Sequence, residues 1–479
     1  MVGKRDLLLV KTHRLRCSWM PLGLMYVAAG AEKKGAKVGI IDLSLEEDHV
    51  KVLKSVLEGV QPRIVGIGGM YEEFNEAKEV AAIIKVTTPT AKVIVGGPMA
   101  TSLPQECLQN KNMDVVILRE GESTIQDLLL YINGETELSE IKGIVFKSGG
   151  EIIFSEPRPI EDIDGIPIPS WHLIEPERYI ESKDNWFGVA HLRVMNMAAS
   201  RGCPYHCIYC DKNVLGQKWR GRNPKNIVDE MILLKDRYGA EAIMFVDDIF
   251  DVNRKWVLDL IDEMRSRDIN MYWGCNSRAN HADYEMYKKM HEAGCSYVGL
   301  GVEFGSDSML KKARKQLTVE QAHRAIGLAK KAGLRAIGYH MIGMLDETQE
   351  EINETIKFAI NSKLDSGGIS VVAPITGTEL YDIAVKAGKI DPDKPWWEAT
   401  RANALINLSK NVSSKHLVYL ISKTYWMFFW SRPARKWPRW MCKIMQLSFY
   451  VFYPFVGERF GDFTFWLDKI RRKLHLSLP

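Results

Sequence analysis

The chain has 479 residues, 46% hydrophobic and 26% charged, a composition that fits two or three globular domains and excludes an intrinsically disordered chain. Lys and Arg total 64 against 60 for Asp and Glu, so net charge gives no ground for a nucleic-acid partner. Eight cysteines in so long a chain do not make a disulfide framework, and no run of eighteen apolar residues is present to span a membrane as a helix.

The first apolar run, Leu7–Val10, is too short for a signal peptide. From there to about residue 140, strand-like and helical runs alternate. Leu7–Val10, Val38–Asp42, Ile64–Gly68, Lys92–Gly96 and Val115–Leu118 are short, apolar and rich in β-branched residues. Amphipathic segments such as Leu22–Lys34 and Glu73–Lys85 lie between them. This rhythm predicts an α/β, doubly wound, Rossmann-like sheet over residues 1–140. Ligands of such sheets bind beyond the carboxyl ends of the strands. Four loops fall there: Ser18-Trp-Met-Pro-Leu-Gly, Gly68-Gly69-Met-Tyr, Gly96-Gly97-Pro98-Met-Ala-Thr and Arg119-Glu120-Gly121-Glu. Their glycines allow a flat or phosphorylated ligand to approach the backbone, and a ligand-free sheet is the alternative.

Residues 141–189 change character. Gly143 to Phe154 reads as a β-hairpin turning at Ser148-Gly-Gly. Pro157, Pro159, Pro167 and Pro169 then predict an extended connector.

The segment 190–390 opens with a buried strand, Val194–Ala199, followed by Ser200-Arg-Gly-Cys-Pro-Tyr-His-Cys-Ile-Tyr-Cys. Spacings of four and three bring the thiols of Cys203, Cys207 and Cys210 to one side of a tight loop. Four-iron clusters take a thiolate on each iron, so three local cysteines leave one iron open to a substrate. Structural zinc wants four protein ligands and suits the spacing less well. Tyr209, between two of the thiols, is placed to pack against whatever the open iron binds.

Strands and helices then alternate every 30 residues or so. Asn223-Pro224 opens a helix that ends near Tyr238-Gly239. Predicted strands are Ala242–Val246, Met271–Gly274, Tyr297–Val302, Ala336–Met341 and Ile369–Val372, with helices at Lys255–Ser266, Ala282–Ala293, Val319–Ala332 and Glu350–Ser362. Such repeats close into a full or partial TIM-type barrel, with active residues at strand carboxyl ends. Glu303, Arg278 and the pair Asp247 and Asp248 stand at such ends. Carboxylates there can accept hydrogen bonds from a cofactor or substrate. Arg278 suits a carboxylate partner, and paired aspartates suit proton transfer. Loop salt bridges are the alternative for each, and His340 reads equally as a cofactor neighbour or a core residue.

The last segment, 391–479, is predicted helical, aromatic and basic, as in Lys423-Thr-Tyr-Trp-Met-Phe-Phe-Trp-Ser-Arg. It suits a peripheral membrane interface, a lining for a hydrophobic substrate, or a bundle capping the barrel. The scattered cysteines Cys17, Cys107, Cys275, Cys295 and Cys442 read as buried free thiols, which points to a reducing, cytoplasmic compartment.

The cysteine loop, with its Arg-Gly-Cys-Pro entry and Tyr209, resembles the radical SAM superfamily signature. That resemblance implies a [4Fe-4S] cluster on Cys203, Cys207 and Cys210. Its open iron chelates S-adenosylmethionine, whose reductive cleavage yields a 5'-deoxyadenosyl radical. Glu303 then corresponds to the glutamate that contacts S-adenosylmethionine. Pro21-Leu-Gly, Gly96-Gly97-Pro98 and Arg119-Glu120-Gly121-Glu resemble the cobalamin-binding domain of radical SAM enzymes of the anaerobic magnesium-protoporphyrin ester cyclase group. Gly68, Gly69, Gly96, Gly97, Pro98, Glu120 and Gly121 would there line the corrinoid. No Asp-x-His-x-x-Gly motif is present, and Met99 stands where the group often has His, so no lower histidine ligand is expected. Gly338 to Thr348 resembles the family's Gly-Leu-Pro-Gly-Glu-Thr turn, which Met344, Leu345 and Asp346 interrupt. The resemblance covers roughly residues 5–390. It implies methylation of an unactivated carbon of a hydrophobic, lipid or tetrapyrrole substrate, with an external electron donor. Oxidative cyclisation and a non-catalytic, membrane-associated iron–sulfur protein are the alternatives.

Overall fold

The structure, a computed structural model, describes residues 3–13, 19–180, 187, 189, 192–392 and 406–431. Its first layer follows from the apolar runs of the N-terminal segment. They form strands β1 (Leu7–Lys11), β2 (Val38–Asp42), β3 (Ile64–Gly68), β4 (Lys92–Gly96) and β5 (Val115–Ile117). These are parallel, in the order β2-β1-β3-β4-β5. Helices such as Leu22–Glu32 and Phe74–Thr87 cover the two faces, so the strands are buried on both sides and read as continuous rather than alternating apolar runs. Strand order reverses between β1 and β3, and a crevice opens at that point.

The predicted hairpin forms as β6 (Ile144–Ser148) and β7 (Glu151–Phe154). It does not stay in the connector, however. β6 pairs antiparallel with β5 and extends the first sheet to seven strands. The reason lies in Ile144, Val145 and Phe146, which are buried, whereas Lys147 and Ser148 are exposed. An apolar half-strand needs a partner, and the free edge of β5 supplies it.

The second sheet holds β8 (Val194–Met197), β11 (Ala242–Phe245), β12 (Tyr272–Ser277), β13 (Cys295–Glu303), β14 (Arg335–Ile342) and β15 (Ser366–Val371). A short ribbon, β9 (Ser200–Arg201) with β10 (Arg220–Gly221), sits between its first two strands in sequence. The order β15-β14-β13-β12-β11-β8 is parallel throughout, and β8 and β15 do not pair with each other. Among the described residues the barrel is therefore partial and open. The helix Pro224–Tyr238 has the predicted caps: the Asn223 side chain accepts from Lys225 N–H, and Gly239 takes a left-handed φ of 65°. The turn after β14 also forms, despite Met344, Leu345 and Asp346. The buried Glu347 carboxylate accepts from Gly343 N (2.5 Å) and Met344 N (3.0 Å), and closes the turn by itself.

Past the barrel, the helix Ser414–Ser431 buries Leu417 and Leu420 against Ile342, Ile352 and Ile369. This part of the C-terminal segment caps the open edge at β15. The remainder of the aromatic and basic stretch, and Cys17 and Cys442, lie outside the described residues. Among the described residues, no helix is long and apolar enough to cross a membrane.

The extended connector packs between the two sheets. Trp171, 2% exposed, donates from Nε1 to Glu230 (3.0 Å), which is ion-paired to Arg222 (2.7 Å). Burial pushes the Glu230 carboxyl up, and Arg222 opposes that shift. Removing one partner of a buried pair leaves an uncompensated charge. Arg222→Met should therefore cost about 3–5 kcal/mol in chemical denaturation, and the double variant with Glu230→Met should recover most of it.

Candidate active site

The cysteine loop begins where β9 ends. Gly202 has φ of 82°, and a Cβ there would meet Lys218 O at 2.4 Å, so only glycine fits. The loop is then pinned from three directions. Cys203 N–H donates to Gly216 O (3.3 Å), Ile208 N–H to Ala313 O (3.2 Å), and Leu380 N–H to Ile208 O (2.9 Å). Cys203 and Cys207 are buried, Cys210 is half-buried, and all three are free thiols. Burial pushes the Cys203 thiol up and the Cys210 thiol up to about 11, so a bound metal must displace their protons.

Among the described residues, no three His, Cys, Asp or Glu side chains converge on a single-ion site. Three thiols that each ligate a different iron of a cluster need not converge in that way. The chemistry of the donor set therefore fits a cluster better than zinc. Tyr209 stands beside the thiols. Burial first, and then Glu303 and Cys207, raise its phenol well above the ordinary value.

The other candidates fall on strand ends as expected, but in unequal surroundings. Glu303 ends β13 at a bulge, with φ of 69°, and is held by Lys315 Nζ at 2.8 Å. Asp247 follows β11 and is buried. Its carboxylate accepts from Ala199 N (3.2 Å) and Ser200 Oγ (2.5 Å), so it braces the start of the cysteine loop. Burial pushes it up to about 6. Asp248 opens onto the mouth of the half-barrel, where surrounding protein and then Asp211 raise it. Arg278 is buried, lies over the Tyr205 ring and reaches Cys207 Sγ at 3.7 Å. His340 is a core residue: it is 3% exposed, meets Gly368 O at 3.2 Å, and burial lowers it to about 4.

A cavity of about 380 Å³ lies at the strand ends of the first sheet. Gly68, Gly69, Gly96, Gly97, Pro98, Glu120 and Gly121 all line it. Gly97 needs its φ of 82° to turn from β4 into the next helix. The opposite wall comes from the second sheet: Ala198, Ser200, Arg201, Val214, Val246 and Asp247. The loops beyond the two sheets thus share one chamber. Its apolar walls (Leu9, Leu24, Ile67, Ile94, Ile117) and its place at the switch point suit a large, flat cofactor. Among the described residues, no histidine lines it. Met99 does not face it either, being fully buried in the core of the first sheet.

Three links that local sequence pattern does not reveal join the loops. Arg201 pairs with Glu120 (2.6 Å) and Glu122 (2.7 Å), and Arg220 also reaches Glu120 (3.0 Å). Asn196 holds the backbone of Met20 from both sides (3.0 and 3.3 Å). Tyr71 donates to Asp211, the residue after Cys210. Glu120 thus lines the cavity with its carboxylate engaged by two arginines.

The Radical SAM superfamily model matches residues 197–359, and the B12 binding domain model matches residues 12–129. An uncharacterized methyltransferase of Pyrococcus horikoshii is 32% identical, over 86% of this chain and 88% of that one. The chain belongs to the cobalamin-binding radical SAM family. A cytidylyl-2-hydroxyethylphosphonate methyltransferase of Streptomyces wedmorensis is 28% identical over 85% of each chain. An anaerobic magnesium-protoporphyrin IX monomethyl ester cyclase of Cereibacter sphaeroides is 28% identical over 76% of this chain and 60% of that one. Two solved structures share the fold. The radical S-adenosylmethionine methyltransferase TsrM from Kitasatospora setae has a TM-score of 0.69 at 18% identity, over 81% and 80% of the two chains. The cobalamin-dependent radical enzyme OxsB has a TM-score of 0.70 at 16% identity, over 95% of this chain and 72% of that one. As a member of this family the protein is an enzyme whose cofactors are a [4Fe-4S] cluster, S-adenosylmethionine and cobalamin.

Two outcomes follow from the site. The unfolded Asp247 carboxyl titrates near 3.8 and the folded one near 6. Between those values the unfolded chain releases its proton first, so stability falls as pH rises through that window. The loss should be about 3 kcal/mol, and Asp247→Asn should remove that part of the slope in denaturation of the cluster-free protein. With hydroxocobalamin supplied, the reconstituted protein should retain corrinoid through gel filtration, read from its visible absorption bands. A protein that keeps its cluster but no corrinoid would deny the cavity that ligand.

Proposed function

We propose that this radical SAM enzyme methylates an unactivated carbon of its substrate, with S-adenosylmethionine as the methyl source. The observation that carries the reading is the shared cavity, walled by the glycine loops of the first sheet and by Ser200, Arg201 and Asp247 of the second, with the cysteine loop starting two residues past Arg201. Two of its relatives described as methyltransferases support the same choice. When bound, the cluster supplies the electron that cleaves S-adenosylmethionine, and cobalamin supplies a methyl carrier.

The chain's own groups do the rest. Cys203, Cys207 and Cys210 would hold the cluster through their three thiolates. Glu303, oriented by Lys315, accepts hydrogen bonds from the ribose or ammonium of S-adenosylmethionine. Tyr209 closes the same side of the site and limits water. Asp247 fixes the backbone at Ala199 and Ser200, so that the loop meets the cavity wall at one distance. Asp248, open to the mouth, is the carboxylate free to take up a proton. The substrate class we favour is hydrophobic, a lipid or tetrapyrrole, on the aromatic character of the C-terminal segment. That segment also suggests peripheral contact with a membrane surface, and the reducing electron comes from an external donor.

Anaerobically reconstituted enzyme, given S-adenosylmethionine, hydroxocobalamin and a chemical reductant, should form both 5'-deoxyadenosine and S-adenosylhomocysteine. Alanine at Cys203, Cys207 or Cys210 should abolish the 5'-deoxyadenosine. Substrate product should gain one methylene unit in mass. 5'-Deoxyadenosine without S-adenosylhomocysteine, and a product lighter by two hydrogens, would instead place the enzyme with the cyclases. Formation of neither nucleoside would leave a non-catalytic iron–sulfur protein.

A further inference from the structure

Arg278 follows β12 and is 2% exposed. Burying a guanidinium costs several kcal/mol unless an anion pairs with it. The neighbouring buried arginines obey this: Arg201 has two carboxylates and Arg222 has Glu230. Arg278 does not. Its Nε and Nη2 are buried with no hydrogen-bond partner among the described residues, and no carboxylate there pairs with it. Its Nη1 points at Cys207 Sγ, 3.7 Å away.

The position is also held firmly. The guanidinium carbon lies 3.7 Å from the centre of the Tyr205 ring. The Tyr205 hydroxyl bonds to His281 Nε2, and His281 Nδ1 bonds to Asp251 (3.2 Å). Asp251 takes the Ser277 hydroxyl at 2.5 Å, and Ser277 meets the Tyr287 hydroxyl at 3.1 Å. A continuous run of bonds, part-buried at His281 and buried from Asp251 on, thus fixes the ring on which the cation rests. The cation is placed, and its counter-charge is the missing part.

We propose that the counter-charge is the bound cluster, and that Arg278 is a positioning residue that makes the cluster easier to reduce. This rests on the reading of Cys203, Cys207 and Cys210 as cluster ligands. Three thiolates outweigh the positive charge of the iron–sulfide core, and reduction adds one more negative charge. A fixed cation against one ligand sulfur stabilises the reduced form more than the oxidised form, and strongly so in a low-dielectric site. The N–H donated to the Cys207 sulfur acts in the same direction.

The test is a redox titration of the reconstituted cluster, followed by its electron paramagnetic resonance signal, without S-adenosylmethionine. Wild type is compared with Arg278→Lys, Arg278→Gln and His281→Asn, the last releasing the Tyr205 ring while leaving the arginine. Arg278→Gln should disfavour reduction at least tenfold, a shift of about 59 mV to lower potential. Arg278→Lys should restore part of it, and His281→Asn should fall between wild type and Arg278→Gln. Equal potentials in all four proteins, with weaker S-adenosylmethionine binding in Arg278→Gln, would overturn the proposal: the counter-charge would then be the carboxylate of S-adenosylmethionine. A wild type that takes up no iron and sulfide would instead remove the ligand reading on which the proposal rests.

Discussion

The guanidinium of Arg201 is the interaction on which the site depends. It sits two residues before Cys203, and it pairs with Glu120 and Glu122, which wall the corrinoid cavity. Its face lies 4.6 Å from the Tyr26 ring, and Arg220 shares Glu120. One buried cation therefore ties the cysteine loop to the Glu120–Glu122 loop of the first sheet. Buried pairs of this kind add little net stability compared with apolar packing, but they are costly to break. Their value here is register: two carboxylates and a planar fork admit few relative positions of the two loops.

The remaining tethers land close by. Asn196 grips Met20 from the strand that leads into the cysteine loop, and Tyr71 reaches Asp211 at the loop's far end. The cysteine loop is thus bracketed at entry and exit by residues of the first sheet. Within the barrel, Ala313 and Leu380 pin its middle through Ile208. Neither sheet alone defines the loop's shape, and Ser200 and Arg201, just before it, also wall the cavity of the first sheet.

Local chemistry made much of this legible in advance. The bounds of β2, β3 and β4 follow from continuous apolar runs, because both faces are covered. The helix Pro224–Tyr238 was legible from Asn223, Pro224 and Gly239, each of which acts on its own backbone neighbours. The glycine loops could be assigned to one crevice because a parallel sheet puts all its carboxyl ends on one side. What stayed hidden is long-range pairing. Glu120 looked like a ligand contact, since nothing in Arg119-Glu-Gly-Glu reveals an arginine eighty residues later. The hairpin seemed part of a connector, since a strand's partner is not written in the strand. Glu347 restored a turn that Met344, Leu345 and Asp346 appeared to break, because one buried carboxylate can close a turn whatever the residues between.

The same distinction separates the two aspartates after β11. By sequence they form a matched pair suited to acid–base work. The fold gives them different tasks. Asp247 turns inward, and its oxygens are occupied by Ala199 N–H and the Ser200 hydroxyl. Any proton it gained would come at the expense of the loop's geometry. Asp248 is exposed and lies near Cys203, Cys210 and Asp211. Adjacent carboxylates whose environments differ so strongly divide into a brace and a free acid. Under the proposed function, proton movement would therefore fall to Asp248, while Asp247 keeps the loop in place.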